Sequence, residues 1–452
     1  MTQSLQPPLV KGLPVIGSLI PLLNDSINFL FGEYRRLGPI FRVRVLGKEL
    51  KVLAGPELNL LMASDLDALS SVEVWEPFVQ NLGAQKILNT MEGEPHVRLR
   101  RLMQESFSRS TVSNNTATIV NMIHAALGRY SEGQSIPLVR FLQELVAAEL
   151  GLITTYQEPG EYFDDIMVYW TTMIYVLFGN RPRSLMETPS FRRARQRVEE
   201  FMNQIVESRR SLPREKRDPD NFIDNLLTVH ESDPDFLSDR ELLVSTLTPY
   251  IAGIDTAANI TSFLIYELLR HPDLFEQCRQ EADQIFADGI PNPARLRNMP
   301  TLHAAIMETL RLYPLAGVLR RFAGKDFEFA GYSVKKGEPL LVATGAAHYD
   351  PRYFPNPKTF DIGRFSPPRN EHKVKGAYAP FGAGPHTCLG APLAEAQIAL
   401  TIATILHSVD FSLVNPNYKL KIVSEPGMTA KGLAIKIDRW RNKAISGKEF
   451  TP

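Results

Sequence analysis

Apolar residues recur at helical spacing through most of the chain, while strand-like alternation is short and gathered toward its two ends. Phe29 to Leu37 reads as a helix, Gly38-Pro39 breaks it, and Ile40 to Val45 alternates apolar residues with arginine before Gly47. Leu50 to Leu53 follows as a partner strand. Between Ser70 and Gly93 the pattern is irregular. Trp75, Phe78, Leu82 and Ile87 stand there among glycine, proline and polar residues, which predicts a loop stapled to the core or lining an apolar pocket. The run His96 to Arg101 opens a helix after Gly93 and Pro95; His96 and Arg100 share a face, and Arg98 and Arg101 point elsewhere.

From Ile119 to Phe178 helical periodicity dominates, interrupted near Glu132-Gly133 and Glu158-Pro159-Gly160. The segment Ile166 to Phe178, with Trp170 and Met173, is apolar nearly all round. That is the pattern of a buried helix, or of a methionine-bearing lid over a lipophilic pocket. Arg209 to Asp220 reads as an exposed loop. Ser238 with Glu241 forms a capping-box start for the longest helical pattern, which stops before His271-Pro272. About thirty residues at 1.5 Å each make a rod of roughly 45 to 50 Å. Pro249, Gly253, Asp255 and Thr256 interrupt its middle, where a helix built for stability alone would carry alanine or leucine. Such a local violation marks a functional position.

Thr301 to Tyr313 is helical and sets Glu308 and Arg311 on one face. Short strands follow at Phe327 to Gly331, Tyr332 to Val334 and Pro339 to Ala343. Ala391 to Leu406 is again helical, and Leu420 to Val423 with Leu433 to Ile437 predicts a closing hairpin whose tip lies near Pro426-Gly427-Met428. The fold expected is mainly α with small β-sheets, in one domain of 452 residues. Its sheets come from the N-terminal part, roughly residues 1–65, and from the C-terminal hairpin.

Composition narrows the function. A hydrophobic fraction of 44% supplies a core deep enough to enclose a cofactor. Fifty basic residues balance fifty acidic ones, so nothing in the net charge draws nucleic acid or an anionic membrane. Cys278 and Cys388 are too few for a disulfide framework and fit a reducing compartment. The apolar patch Leu13 to Leu23 is broken by Pro14 and Pro21, so no membrane anchor is read and a soluble cytoplasmic protein is expected.

The candidate chemistry sits in Pro380 to Ala391, where Cys388 closes a run rich in glycine and proline and a helical pattern begins. Helix N-terminal amides stabilise a thiolate, the form of cysteine that binds metal. The pattern Phe381-x-x-Gly384-x-His386-x-Cys388-x-Gly390, with Gly382 inside it, resembles the haem-binding signature of the cytochrome P-450 family. Ala252-Gly253-Ile254-Asp255-Thr256 resembles that family's distal-helix motif. Glu308-x-x-Arg311, with Arg364 in Phe360 to Phe365, resembles its charge network.

The resemblance implies haem b (iron protoporphyrin IX) held between a long distal helix and the cysteine loop. Cys388 is then the proximal ligand, with Phe381 packed near it. His96, Arg100, His386 and Arg321, with Arg320 as the adjacent alternative, contact propionates. Asp255 and Thr256 relay protons, and Glu308, Arg311 and Arg364 brace the loop. Trp75, Phe78, Trp170, Met173, Leu315, Val318 and Met428 are expected to line the substrate pocket. The activity implied is monooxygenation of a lipophilic molecule by dioxygen. Electrons come from a separate ferredoxin- or flavodoxin-type donor and its reductase, docked near Arg98, Arg101, Lys373 and Lys375. A peroxide-driven or isomerising haem enzyme, and a non-catalytic haem sensor or carrier, are the alternatives; the intact Asp255-Thr256 pair argues against both.

Overall fold

The computed structural model describes residues 6–177, 179, 181–423 and 428–442. Backbone contacts divide the chain into two compact units, one of Met1–Arg100 with Leu310–Leu389 and one of Arg101–Thr309 with Gly390–Pro452.

The first unit is built on a five-stranded sheet in the order Ile40–Val45, Lys48–Ala54, Pro339–Ala343, Leu319–Ala323, Leu69–Ser70. Its opening hairpin is the one the alternation predicts. Leu46 and Gly47, with φ of 49° and 80°, form the tight turn that matches strand twist. Lys48–Ala54 then runs parallel to Pro339–Ala343, with Lys51 opposite Leu340, and Arg321 lies opposite Leu340 on the other side. Ile40, Leu53, Leu58, Met62, Ala323 and Val342 fill the core beneath.

Two helices of this unit differ from the sequence pattern. One, over Leu19–Leu37, is broken at Asp25 (φ −161°, ψ 79°), so a short helix that begins ahead of Pro21 precedes the one read from Phe29. Proline is tolerated in a first turn because the amides there have no intrahelical acceptor. The other, Val72–Asn81, occupies the stretch read as an irregular loop. Phe78 and Val79 are buried, and burial of that face outweighs the one hydrogen bond that Pro77 cannot make.

The second unit is helical. Leu138–Thr155 packs along Thr248–Arg270, Phe163–Leu177 along Pro189–Arg210, and Ala391–Ser408 against Pro272–Ile285 and Thr116–Leu127. The single rod expected from Ser238 is two helices, Asp239–Ser245 and Thr248–Arg270, and the second, at 23 residues, spans about 35 Å. The capping box of Ser238 and Glu241 is formed as expected. Pro249 has no N–H for the carbonyl of Ser245, and the chain tightens there through Leu247 N to Val244 O (3.2 Å) and Tyr250 N to Leu247 O (3.2 Å).

The predicted closing hairpin is re-paired. Ala434–Trp440 lies between Ser135–Pro137 and Val409–Leu413, and Ile422–Val423 pairs with Thr429–Ala430. Of the hairpin tip, Pro426 and Gly427 lie outside the described residues, as does Phe178 at the end of the apolar helix.

Candidate functional site

Cys388 ends a loop folded on itself by short backbone bonds. Gly382 N donates to Ala379 O (3.1 Å), Thr387 N to Gly384 O (3.1 Å) and Cys388 N to Phe381 O (2.9 Å). Gly382 and Gly384 have φ of +78° and +76°, a region glycine enters without strain. A Cβ on Gly384 would stand 2.0 Å from the Met62 carbonyl oxygen, so the loop sits tightly on its support. Gly390, by contrast, has φ of −82°, and the nearest described atom to a Cβ there, beyond its chain neighbours, is Phe107 Cδ1 at 3.9 Å. Among the described residues nothing demands glycine at that place. Phe381 is half-buried, and Cys388 is exposed at the loop's end.

Four basic side chains of the first unit converge. The rings of His96 and His386 lie 4.4 Å apart, and His96, Arg321 and Arg100 all act on His386 electrostatically. Burial and these neighbours push the His386 imidazole down to about 3. Burial lowers Arg321 to about 10 and, followed by the charge of Arg100, lowers His96. For Arg100 burial pulls down and the Cys388 sulfur pulls up, which places the guanidinium within electrostatic reach of the thiol. Arg321 is buried and bonds the Arg320 carbonyl (2.8 Å), whereas Arg320 is exposed. His96 is buried with Nε2 unpartnered, and among the described residues none of the four basic groups pairs with a carboxylate.

Buried positive charge is ordinarily paired, so this cluster is complementary to an anionic ligand. Among the described residues no group of three or more His, Cys, Asp or Glu is arranged to hold a bare metal ion. A single cysteine beside a cluster of buried arginine and histidine side chains fits a metal that brings its own macrocycle and carboxylates, as haem does.

The loop rests on a buried brace. Arg311 Nη1 donates to the carbonyls of His348 (2.6 Å) and Pro357 (2.7 Å). Arg364 Nη1 donates to Pro355 O (2.6 Å) and Glu371 Oε2 (2.9 Å), and its Nη2 to Asn356 O (2.8 Å). Both arginines and Glu308 are wholly buried, Glu308 lying one turn before Arg311 on Pro300–Leu312. Glu371 and His348 were not visible in the sequence pattern. His348 Nε2 accepts the N–H of Ala379 (3.0 Å), directly ahead of the cysteine loop.

In the second unit, Ala252 and Thr256 are exposed four residues apart on Thr248–Arg270, while Ile254, Ala257 and Ala258 are buried. Thr256 Oγ1 donates back to Ala252 O (2.7 Å). Asp255 turns the other way, its Oδ1 accepting from Gln143 Nε2 at 2.7 Å. Burial raises the Asp255 carboxyl above the usual range, and the Gln143 bond works against that. Gly253 has a packing role that the motif did not suggest. A Cβ there would meet Leu150 Cδ1 at 2.4 Å, so its bareness lets Leu138–Thr155 approach.

The expected pocket residues divide between the units. In the first, Trp75 and Phe78 meet edge to face at 5.9 Å on Val72–Asn81, which lies against Leu319–Ala323, and Leu315 and Val318 are half-buried just before that strand. In the second, Trp170 is half-buried, Met173 fully buried and Met428 buried. Arg98, Arg101, Lys373 and Lys375 are exposed. Among the described residues no helix is long and apolar enough to cross a membrane.

Comparison with known proteins gives a consistent picture. The family described as Cytochrome P450 matches residues 7–437. A sterol 14alpha-demethylase of Mycolicibacterium vanbaalenii is 26% identical over 416 residues, covering 88% of this chain and 90% of that protein. Cyclooctat-9-en-7-ol 5-monooxygenase of Streptomyces melanosporofaciens is 28% identical over 410 residues, 87% of this chain and 86% of that one. Among solved structures, the cytochrome P450DA heme domain superposes with a TM-score of 0.84 at 20% identity, covering 97% of this chain and 99% of that one. The retinoic acid bound cyanobacterial CYP120A1 gives 0.83 at 24%, covering 97% and 100%.

Proposed function

Since the chain belongs to the cytochrome P450 family, we propose that it is a haem b-dependent monooxygenase that places one oxygen atom of O2 on a lipophilic small molecule. Its electrons come from a separate ferredoxin- or flavodoxin-type protein and its reductase, received near Arg98, Arg101, Lys373 and Lys375. The observation that carries the reading is the convergence of His96, Arg100, Arg321 and His386, without a carboxylate, beside the loop that ends in Cys388. When bound, the thiolate-ligated iron supplies oxygen activation.

The chain's own residues do the rest. Cys388 would hold the metal, Arg100 and Arg321 would neutralise the two propionates, Arg321 in preference to the exposed Arg320, and the imidazoles of His96 and His386 would hydrogen-bond them. Gly382 and Gly384 keep the loop backbone in its turn, and Gly390 leaves the helix start bare. Arg311 and Arg364 fix the carbonyls on which the loop's support is built, and Glu308 lies buried one turn before Arg311. Asp255, its carboxyl raised by burial, is the proton-relaying acid, and Thr256 Oγ1, on the exposed face one residue on, is the hydroxyl of the pair. The two named relatives act on a sterol and on cyclooctat-9-en-7-ol, which supports a fatty acid, terpenoid or steroid as substrate.

A library of such lipophiles is screened for the spin-state change that follows displacement of the distal water. A hit is then turned over with a surrogate donor pair, and substrate loss matched by oxygen consumption bears the reading out. Turnover that proceeds only with added peroxide contradicts it.

A further inference from the structure

We infer that Gln143 is the positioning residue of the proton relay, an uncharged donor that fixes the Asp255 carboxyl from the neighbouring helix. The inference rests on the monooxygenase reading above and adds a residue that neither the motif nor the sequence pattern contains. Its basis is geometric. Gln143 Nε2 reaches Asp255 Oδ1 at 2.7 Å across the contact between Leu138–Thr155 and Thr248–Arg270. That contact is tight because Gly253 accommodates Leu150, so the amide and the carboxyl are held at a fixed separation.

Among the described residues no charged group is a resolved influence on the Asp255 carboxyl. On Leu138–Thr155, Arg140 and Glu144 bond each other at 2.7 Å, and Glu149 is engaged with Gln397 and Thr401. On its own helix, the Asn259 amide takes the Asp255 backbone carbonyl (2.7 Å), and Thr256 bonds Ala252. Burial and the Gln143 bond are what act on the carboxyl. A lysine or arginine in place of Gln143 would hold the group as a carboxylate, which accepts but cannot donate. A neutral amide orients one oxygen and leaves the other free to carry the proton.

The test uses the holoenzyme. The carboxylic C=O infrared band that disappears in Asp255→Asn is titrated, and the share of electrons lost as hydrogen peroxide is measured during turnover of a spin-shifting lipophile. Gln143→Met keeps the volume and removes the donor. It should raise the midpoint of the band by about one to two pH units, the value of a hydrogen bond to a charged group. Peroxide loss should rise to the level of Asp255→Asn, with no further rise in the double variant. Gln143→Lys should move the midpoint down. An unmoved midpoint in both variants, with Asp255→Asn still leaking peroxide, overturns the role of Gln143 alone. Asp255→Asn leaking no more than wild type overturns the relay itself.

Discussion

Arg311 and Arg364 donate to the same carbonyl oxygen, that of Thr359, at 3.4 and 3.3 Å. Each also spreads its fork over further carbonyls, so two wholly buried guanidinium groups pin residues 348–359 as one piece. An ammonium cannot reproduce this planar, multi-acceptor geometry. Arg311→Lys and Arg364→Lys should each destabilise the fold by about 3 to 5 kcal/mol and lower the haem bound per chain. Thermal unfolding and haem content check this, and full haem content at wild-type stability would contradict it.

His348 accepts the Ala379 N–H through Nε2 only while that nitrogen is unprotonated. Burial pushes its pKa down to about 3 from 6.5. A base depressed in the folded state leaves stability intact above the unfolded value and removes it as pH falls from 6.5 toward 3. His348→Gln should therefore be less stable than wild type at pH 7 yet show a flatter decline between pH 6.5 and 4. Denaturant titrations across that range decide; parallel pH profiles would remove His348 as a cause of acid sensitivity.

Glu149 is the reverse case. It is wholly buried, receives Gln397 Nε2 at 2.6 Å, and burial raises its pKa from 4.5 to about 8. The folded protein keeps this acid protonated while the unfolded chain ionises it. Stability is thus lost as pH rises from 4.5 to 8, by up to about 1.4 kcal/mol per unit. Glu149→Gln, which mimics the protonated form, should match wild type near pH 4.5 and exceed it increasingly toward pH 8. An equal loss in both proteins would contradict the assignment.

What could be read from the chain alone follows from the range of the interactions. The hairpin Ile40–Val45 with Lys48–Ala54 and the capping box at Ser238 are short-range features, and both stood in the sequence. So did the helix carrying His96 and Arg100, and the loop ending in Cys388, because each is a local pattern of chemistry. The helix Val72–Asn81 was hidden because Pro77 is a local signal against it, while the burial of Phe78 that favours it is tertiary. Lys48–Ala54 finds Pro339–Ala343 nearly three hundred residues away, and Gln143 finds Asp255 across 112. No periodicity encodes such pairings. The same holds for His348 and Glu371, which are ordinary in sequence and become a brace only through their neighbours.

Gly253 stands in a motif that suggests a ligand groove, yet its bare Cα is filled by Leu150. Gly253→Ala should force the helices apart and cost about 1 to 3 kcal/mol, the range for overpacking a tight core. Leu150→Val made in the same chain should recover part of that loss, since it withdraws the clashing methyl. Purely additive effects in the unfolding free energies would refute the packing role.

The central claim is that Cys388 is the thiolate ligand of a bound haem iron. The most direct measurement is the absorption spectrum of the reduced carbon monoxide complex, recorded for the wild type and for Cys388→Ala reconstituted with the same haem. The wild type should show the red-shifted Soret band that thiolate ligation gives, and the variant should lose it while still binding carbon monoxide. Persistence of that band in Cys388→Ala would contradict the account.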